Sequence, residues 1–150
     1  LARDLGADET IVVDEDDPVQ RVFDATDGKL ADVVLDVSAF ATEPITQAIE
    51  MVRPGGKVVV AGLKSFKPIP NFISDKLITK EISMLGVLSS SWSSVEKSID
   101  IIRRKGDLLS RLCTHQYPVD QADKAVKVLG RELVDGEEAV HVHIDAASTT

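Results

Sequence analysis

Residues 31–63 constrain this chain more than any other stretch, because they spell strand, helix and strand without interruption. Ala31-Asp32-Val33-Val34-Leu35-Asp36-Val37 is an almost continuous apolar run, the pattern of a parallel strand covered on both faces. Ser38 to Ala41 form a short connection, and Thr42 stands at the cap of a helix with Glu43 and Pro44 in its first turn. Ile45, Ala48, Ile49 and Val52 recur at helical spacing and give that helix one apolar stripe. Arg53-Pro54-Gly55-Gly56 stops it, because proline disfavours helical backbone before it and glycine permits positive φ. Lys57 to Leu63 is the second strand. Strands joined by a crossover helix are parallel, and ligands of such sheets gather beyond the carboxyl ends, here Val37-Ser38 and Gly62-Leu63. The strand is complete without Gly62. That glycine is therefore read as a place where a flat ligand lies against the backbone, and valine there should harm ligand binding more than folding.

The rest of the chain repeats the alternation. Leu1 to Gly6 reads as the last turns of a helix closed by glycine, so a piece of a longer protein is expected. Glu9 to Val13 is a short strand, Asp14 to Asp17 an acidic turn, and Pro18 opens a helix whose inner face is Val19, Val22, Phe23 and Thr26. Pro68 and Pro70 make 64–71 a loop or irregular edge. A short helix from a Ser74 cap to about Lys80 leads into a strand, Ile82 to Leu88, without charge or proline. It is expected at the sheet edge and at a homodimer seam. Ser93 and Glu96 have capping-box spacing before a helix that ends at Arg103-Arg104-Lys105-Gly106. Thr114 to Pro118 is extended, Asp120 caps a helix with Ala122, Ala125, Val126, Leu129 and Leu133 on one face, Ala139 to Ile144 is a final strand, and Ala146 to Thr150 a tail. The fold class is α/β.

Composition narrows the partners. A net charge of −8 argues against nucleic acid and anionic membranes, although helix N-termini still accept phosphate in an acidic protein. Cys113 is the only cysteine, so no internal disulfide framework exists. No apolar run approaches a membrane span.

Few residues advertise chemistry. Gly55-Gly56 is first a turn device, and Gly86 inside a strand suits either a close approach or a bulge. Asp36 ends a strand and either meets a ribose, acts as a base, or caps the following turn. His141 and His143 share a strand face, yet two ligands do not make a metal site. Cys113 and His115 lack an orienting acid for nucleophilic work. No catalytic residue and no metal ligand is assigned.

The order of these pieces resembles the C-terminal half of the medium-chain, zinc-type alcohol dehydrogenase family. Leu5-Gly6-Ala7-Asp8, Ala31-Asp32-Val33-Val34-Leu35-Asp36, Arg53-Pro54-Gly55-Gly56-Lys57-Val58-Val59 and Thr114-His115-Gln116-Tyr117-Pro118 carry the likeness. The resemblance implies a partial Rossmann-type doubly wound parallel sheet lacking its first two strands. Residues 1–88 would be part of an NAD(P)-binding domain, and 89–150 would return to the catalytic domain. It implies NAD or NADP near Val37 and Ser38, near Ala61, Gly62 and Leu63, and near Val87, Leu88 and Ser89, with His141 close to the pyrophosphate. Ser38-Ala39 departs from the glycine common in the family after that strand. The Gly-rich turn, the acidic ribose ligand and the zinc ligands of the family lie upstream, so zinc would be held by residues outside this chain. The implied protein is a cytoplasmic homodimer or homotetramer acting on an alcohol, aldehyde or ketone, with no nucleic-acid or membrane partner. Two other readings stand beside it: an S-adenosylmethionine-dependent methyltransferase, whose sheet would end in an antiparallel hairpin, and a non-catalytic assembly module.

Overall fold

The computed structural model describes residues 1–136 and 138–146. Of the tail expected from Ala146 to Thr150, residues 147–150 lie outside them. The chain divides into two compact units, one formed by Asp8–Ser90, the other by Leu1–Ala7 with the segment from Ser91 onward.

In the first unit, α1 (Pro18–Ala25) is capped by Asp17, whose carboxylate accepts from the backbone N–H of Val19 at 2.9 Å. The strand β1 (Ala31–Asp36) leads to α2 (Glu43–Met51), which passes directly into β2 (Val52–Val60). The short helix α3 (Asp75–Thr79) and β3 (Ser83–Gly86) complete the unit. All three strands are parallel in the order β1-β2-β3, with Val34 opposite Val58 and Val58 opposite Met84. The expected edge position of the third strand is observed.

The core lies on one face only. Ala48 of α2 and Val52 at the start of β2 meet Val58, with Val34, Val60, Ile82 and Met84 around them. Val52 and Val58 are fully buried, worth roughly 1.5–3 kcal/mol each. Side chains alternate across a strand, so Val33, Leu35 and Val37 point away from α2, and each is more than half exposed. The apolar run of 31–37 suggested cover on both faces. Among the described residues α2 covers one.

Lysine side chains fasten the junction of α2 and β2. Lys80 donates to the carbonyls of Ile49 and Glu50 at 2.7 and 3.2 Å, satisfying the C-terminal end of α2. Its own ammonium pKa is lowered, mainly by burial. Lys76 pairs with the Glu50 carboxylate. Gly55 has φ +71°, and a side chain on Gly56 would strike Val52 and the carbonyls of Arg53 and Asp32. Both glycines lie inside β2 and not in a turn ahead of it, within the irregular stretch where the pairing jumps from Ala31–Val52 to Val33–Lys57.

Several boundaries differ from the sequence reading. Residues 9–13 form no strand, so that expectation fails. Thr42 and Ser74 occupy cap positions without a side-chain cap bond. In the second unit Leu1–Gly6 makes overlapping hydrogen-bonded turns but no helix, with Gly6 at φ +104°. Helix α4 (Trp92–Leu109) is capped by Ser91, not Ser93, and continues past Gly106 after a non-helical Lys105. It buries none of its residues. Strand β4 (Cys113–Pro118) pairs parallel with β5 (His141–Asp145), and α5 (Ala122–Leu129) packs on them through Ala125 and Val128 against Tyr117. Asp120 lies in a 3₁₀ turn before α5 and Gln121 takes its cap, while Leu133 falls beyond the helix.

Candidate functional site

Parallel pairing brings the expected residues to one end of the sheet. The ladder between β1 and β2 runs on past the strands: the N–H groups of Ala61 and Gly62 both donate to the Asp36 carbonyl, at 2.9 and 3.2 Å. Val87 donates to Val60 at 3.0 Å. Residues 37–38, 61–63 and 87–89 therefore emerge side by side at the carboxyl ends. Between the latter two groups lies an open cleft of about 690 Å³ lined by Val60–Phe66 and Gly86–Leu88. Ala61, Gly62, Leu63, Val87 and Leu88 line it directly, whereas Val37 and Ser38 adjoin it through Gly62. Ser89 follows Leu88 with φ +61°. His141 opens β5 in the other unit, opposite Cys113.

The contact at Gly62 reverses its reading. A Cβ on Gly62 would lie 1.9 Å from the Ser38 carbonyl oxygen and 2.9 Å from the Val37 carbonyl carbon. Glycine is demanded by the protein's own backbone, so a side chain there disrupts the strand ends before any ligand is considered. The expectation that Gly62→Val would harm binding far more than folding is corrected accordingly. Gly86 is the opposite case, because a Cβ there would meet nothing within 4 Å.

Asp36 is buried beneath this contact. Its Oδ1 accepts from the backbone N–H and hydroxyl of Ser38 at 3.0 and 2.5 Å, and its Oδ2 pairs with Lys64 Nζ at 2.7 Å. Burial pushes the carboxyl pKa up, but the bonds from Lys64 and Ser38 and the lysine charge outweigh it, and the net shift is downward. Of the roles open to Asp36, the turn cap is the one observed. Lys64 escaped the sequence reading. Its signal was a lone cation just past one strand end, level with a carboxylate ending the neighbouring strand.

The second unit has its own polar cluster. His115 directs Nε2 at the Asp135 carbonyl (2.7 Å) and Nδ1 at the Thr114 hydroxyl (2.9 Å). A carbonyl only accepts, so Nε2 carries a proton. Both ring nitrogens are engaged structurally, and Cys113 is exposed. Tyr117 donates to Asp135 Oδ2 at 2.7 Å, and Lys124 pairs with the same oxygen at 2.8 Å. Lys124 and Tyr117 together hold the Asp135 carboxyl below its usual range, while donation to that carboxylate and burial raise the phenol. Among the described residues no three His, Cys, Asp or Glu side chains gather to hold a metal. No helix there is long and apolar enough to cross a membrane.

Comparison with known proteins agrees with this architecture. The family profile described as zinc-binding dehydrogenase matches residues 1–104. A Mycobacterium tuberculosis protein named "Probable alcohol dehydrogenase" is 40% identical over 103 residues, covering 68% of this chain and 28% of the relative. The sorbitol dehydrogenase of Halalkalibacterium halodurans is 34% identical over 124 residues, covering 83% and 36% respectively. The crystal structure of an alcohol dehydrogenase from Thermotoga maritima superposes with a TM-score of 0.83 at 28% identity, over 95% of this chain and 39% of that one. The chain thus spans only about a third of the length of these relatives. Every strand pairing among the described residues is parallel, so the antiparallel ending of a methyltransferase sheet is not found. With a profile match across residues 1–104 and a sheet that superposes on a family member, this chain belongs to the zinc-binding dehydrogenase family.

Proposed function

We propose that the chain supplies the nicotinamide end of the cofactor cradle in an NAD(P)-dependent oxidoreductase of alcohol dehydrogenase type. The observation that carries this is the cleft at the carboxyl ends of β2 and β3, lined by Ala61, Gly62, Leu63, Val87 and Leu88. Its walls are mainly apolar, and the position matches where parallel sheets take ligands. The open space around Gly86 leaves room for a flat ring, so the residues present fit the cofactor. Val37, Ser38 and Ser89 complete the proposed contacts, and His141 is assigned the pyrophosphate side by resemblance alone. Bound NAD(P) supplies the hydride acceptor or donor. This chain's residues bind and orient the ring and keep water from one side of it.

Residues 1–88 would then belong to the cofactor domain and 89–150 to the catalytic domain, in a cytoplasmic homodimer or homotetramer acting on an alcohol, aldehyde or ketone. Zinc, where the whole protein uses it, would be held by residues beyond those described.

Titration of the labelled chain with NADH and NADPH, followed by amide NMR, tests the reading. Shifts should concentrate at 61–63 and 87–89, with affinity weaker than micromolar because the family's pyrophosphate turn is not among these residues. Shifts confined to α4 or α5, or none at saturating cofactor, would refute it.

A further inference from the structure

Among the described residues Lys64 is the one charged side chain lining the apolar cleft, and a cation beside a proposed dinucleotide site invites a phosphate-binding role. Its surroundings argue otherwise. The Lys64 side chain is 9% exposed and that of Asp36 4%. Its ammonium lies 2.7 Å from Asp36 Oδ2, 2.6 Å from the Ser38 carbonyl and 2.9 Å from the Ser38 hydroxyl. Two Ser38 oxygens accept hydrogen bonds from this ammonium, and the Asp36 carboxylate faces it as an ion pair. Ser38 closes the ring by donating its hydroxyl and its N–H to Asp36 Oδ1.

The ring has a geometric result. It draws the Ser38 carbonyl over Gly62, into the space where any other residue would carry Cβ. A second tie lies alongside, where Phe40 N–H donates to the Leu63 carbonyl at 2.9 Å. The segment after β1 and the segment after β2 are thus locked together, and the second of them forms one wall of the cleft.

We propose that Lys64, acting through Asp36 and Ser38, is a positioning residue of the cofactor site: it fixes the 61–66 wall against which the ring lies and makes no contact with the cofactor itself. The proposal rests on the cofactor reading above. A buried pair is a natural clamp, because removing one partner leaves the other charge buried and unpaired, whereas neutralising both leaves no charge to strand.

The native protein and its Lys64→Met, Asp36→Asn and doubly substituted variants should be titrated with NADH and NADPH by fluorescence, at low and high salt, with melting curves recorded without cofactor. Each single variant and the double variant should bind the preferred cofactor about tenfold more weakly, with the double no worse than the weaker single. The loss should be the same at both salt concentrations. A double variant that binds as tightly as the unsubstituted protein overturns the proposal, as does a lowered melting temperature with unchanged affinity. Losses that add, or that vanish in high salt, would make Lys64 a direct anion ligand and overturn it equally. Should a single variant fail to fold, the uncharged double variant decides alone. An unsubstituted protein that binds neither cofactor would strike the functional reading itself, an outcome distinct from all of these.

Discussion

Ser38 and Gly62 touch where a side chain would begin, and this makes two glycines of similar appearance behave differently. Gly62→Ala must displace the Ser38 carbonyl, and urea denaturation should show a loss of about 2–3 kcal/mol. Gly86→Ala meets nothing within 4 Å and should change stability by less than about 1 kcal/mol. Equal losses would mean that the two segments are not held as described. Asp36 gives the site an acid dependence. Its folded pKa lies below the ordinary 3.8, so its stabilisation is complete above that value and disappears as pH falls through the folded one. Melting temperature should therefore fall steeply below about pH 4, and Asp36→Asn should flatten that limb. The position of the site was legible in the strand ends. The reason for Gly62 was not, because a close approach between residues 24 apart in sequence leaves the same mark as space for a ligand.

Helices were legible where periodicity was strong and less so at their ends. Ile45, Ala48 and Ile49 are buried on α2 as their spacing implied, while Val52, read as the end of that stripe, is buried as the first residue of β2. At α4 the run of serines offered several caps, and local hydrogen bonding chose among them: Ser91 accepts from the N–H of Ser94 at 3.2 Å. Ser91→Ala should lower helicity at 222 nm and cost about 1 kcal/mol, whereas Ser93→Ala should leave both nearly unchanged. The stop read at Gly106 failed because glycine weakens a helix without forbidding it, and the break falls instead at Lys105, whose φ is −127°. Strand Glu9–Val13 failed for a different reason. β-branched residues favour extension only where a partner strand is present, and among the described residues β1 pairs with β2 alone.

For the whole molecule, the sheet of the first unit has a covered face and an open one. Val33, Leu35 and Val37 on the open side should make the isolated chain bind the dye ANS and associate at high concentration, and Leu35→Lys should reduce both. Amide exchange should be slowest in β2, which alone among the described strands is paired on both sides, and fast across 11–13. An exchange rate at 11–13 matching β2 would contradict the absence of a strand there. The parallel pairing also sets an order of events in time. Partners such as Val34 and Val58, or Val58 and Met84, are separated by about 25 residues, so each pairing closes a loop of modest entropy. Nothing in that ladder waits for residues beyond Ser90. As the chain leaves the ribosome, the three strands can zip in sequence order while the second unit is still being made. Arrested nascent chains of increasing length should accordingly gain protease resistance in this region soon after β3 clears the exit tunnel, before β5 has been synthesised.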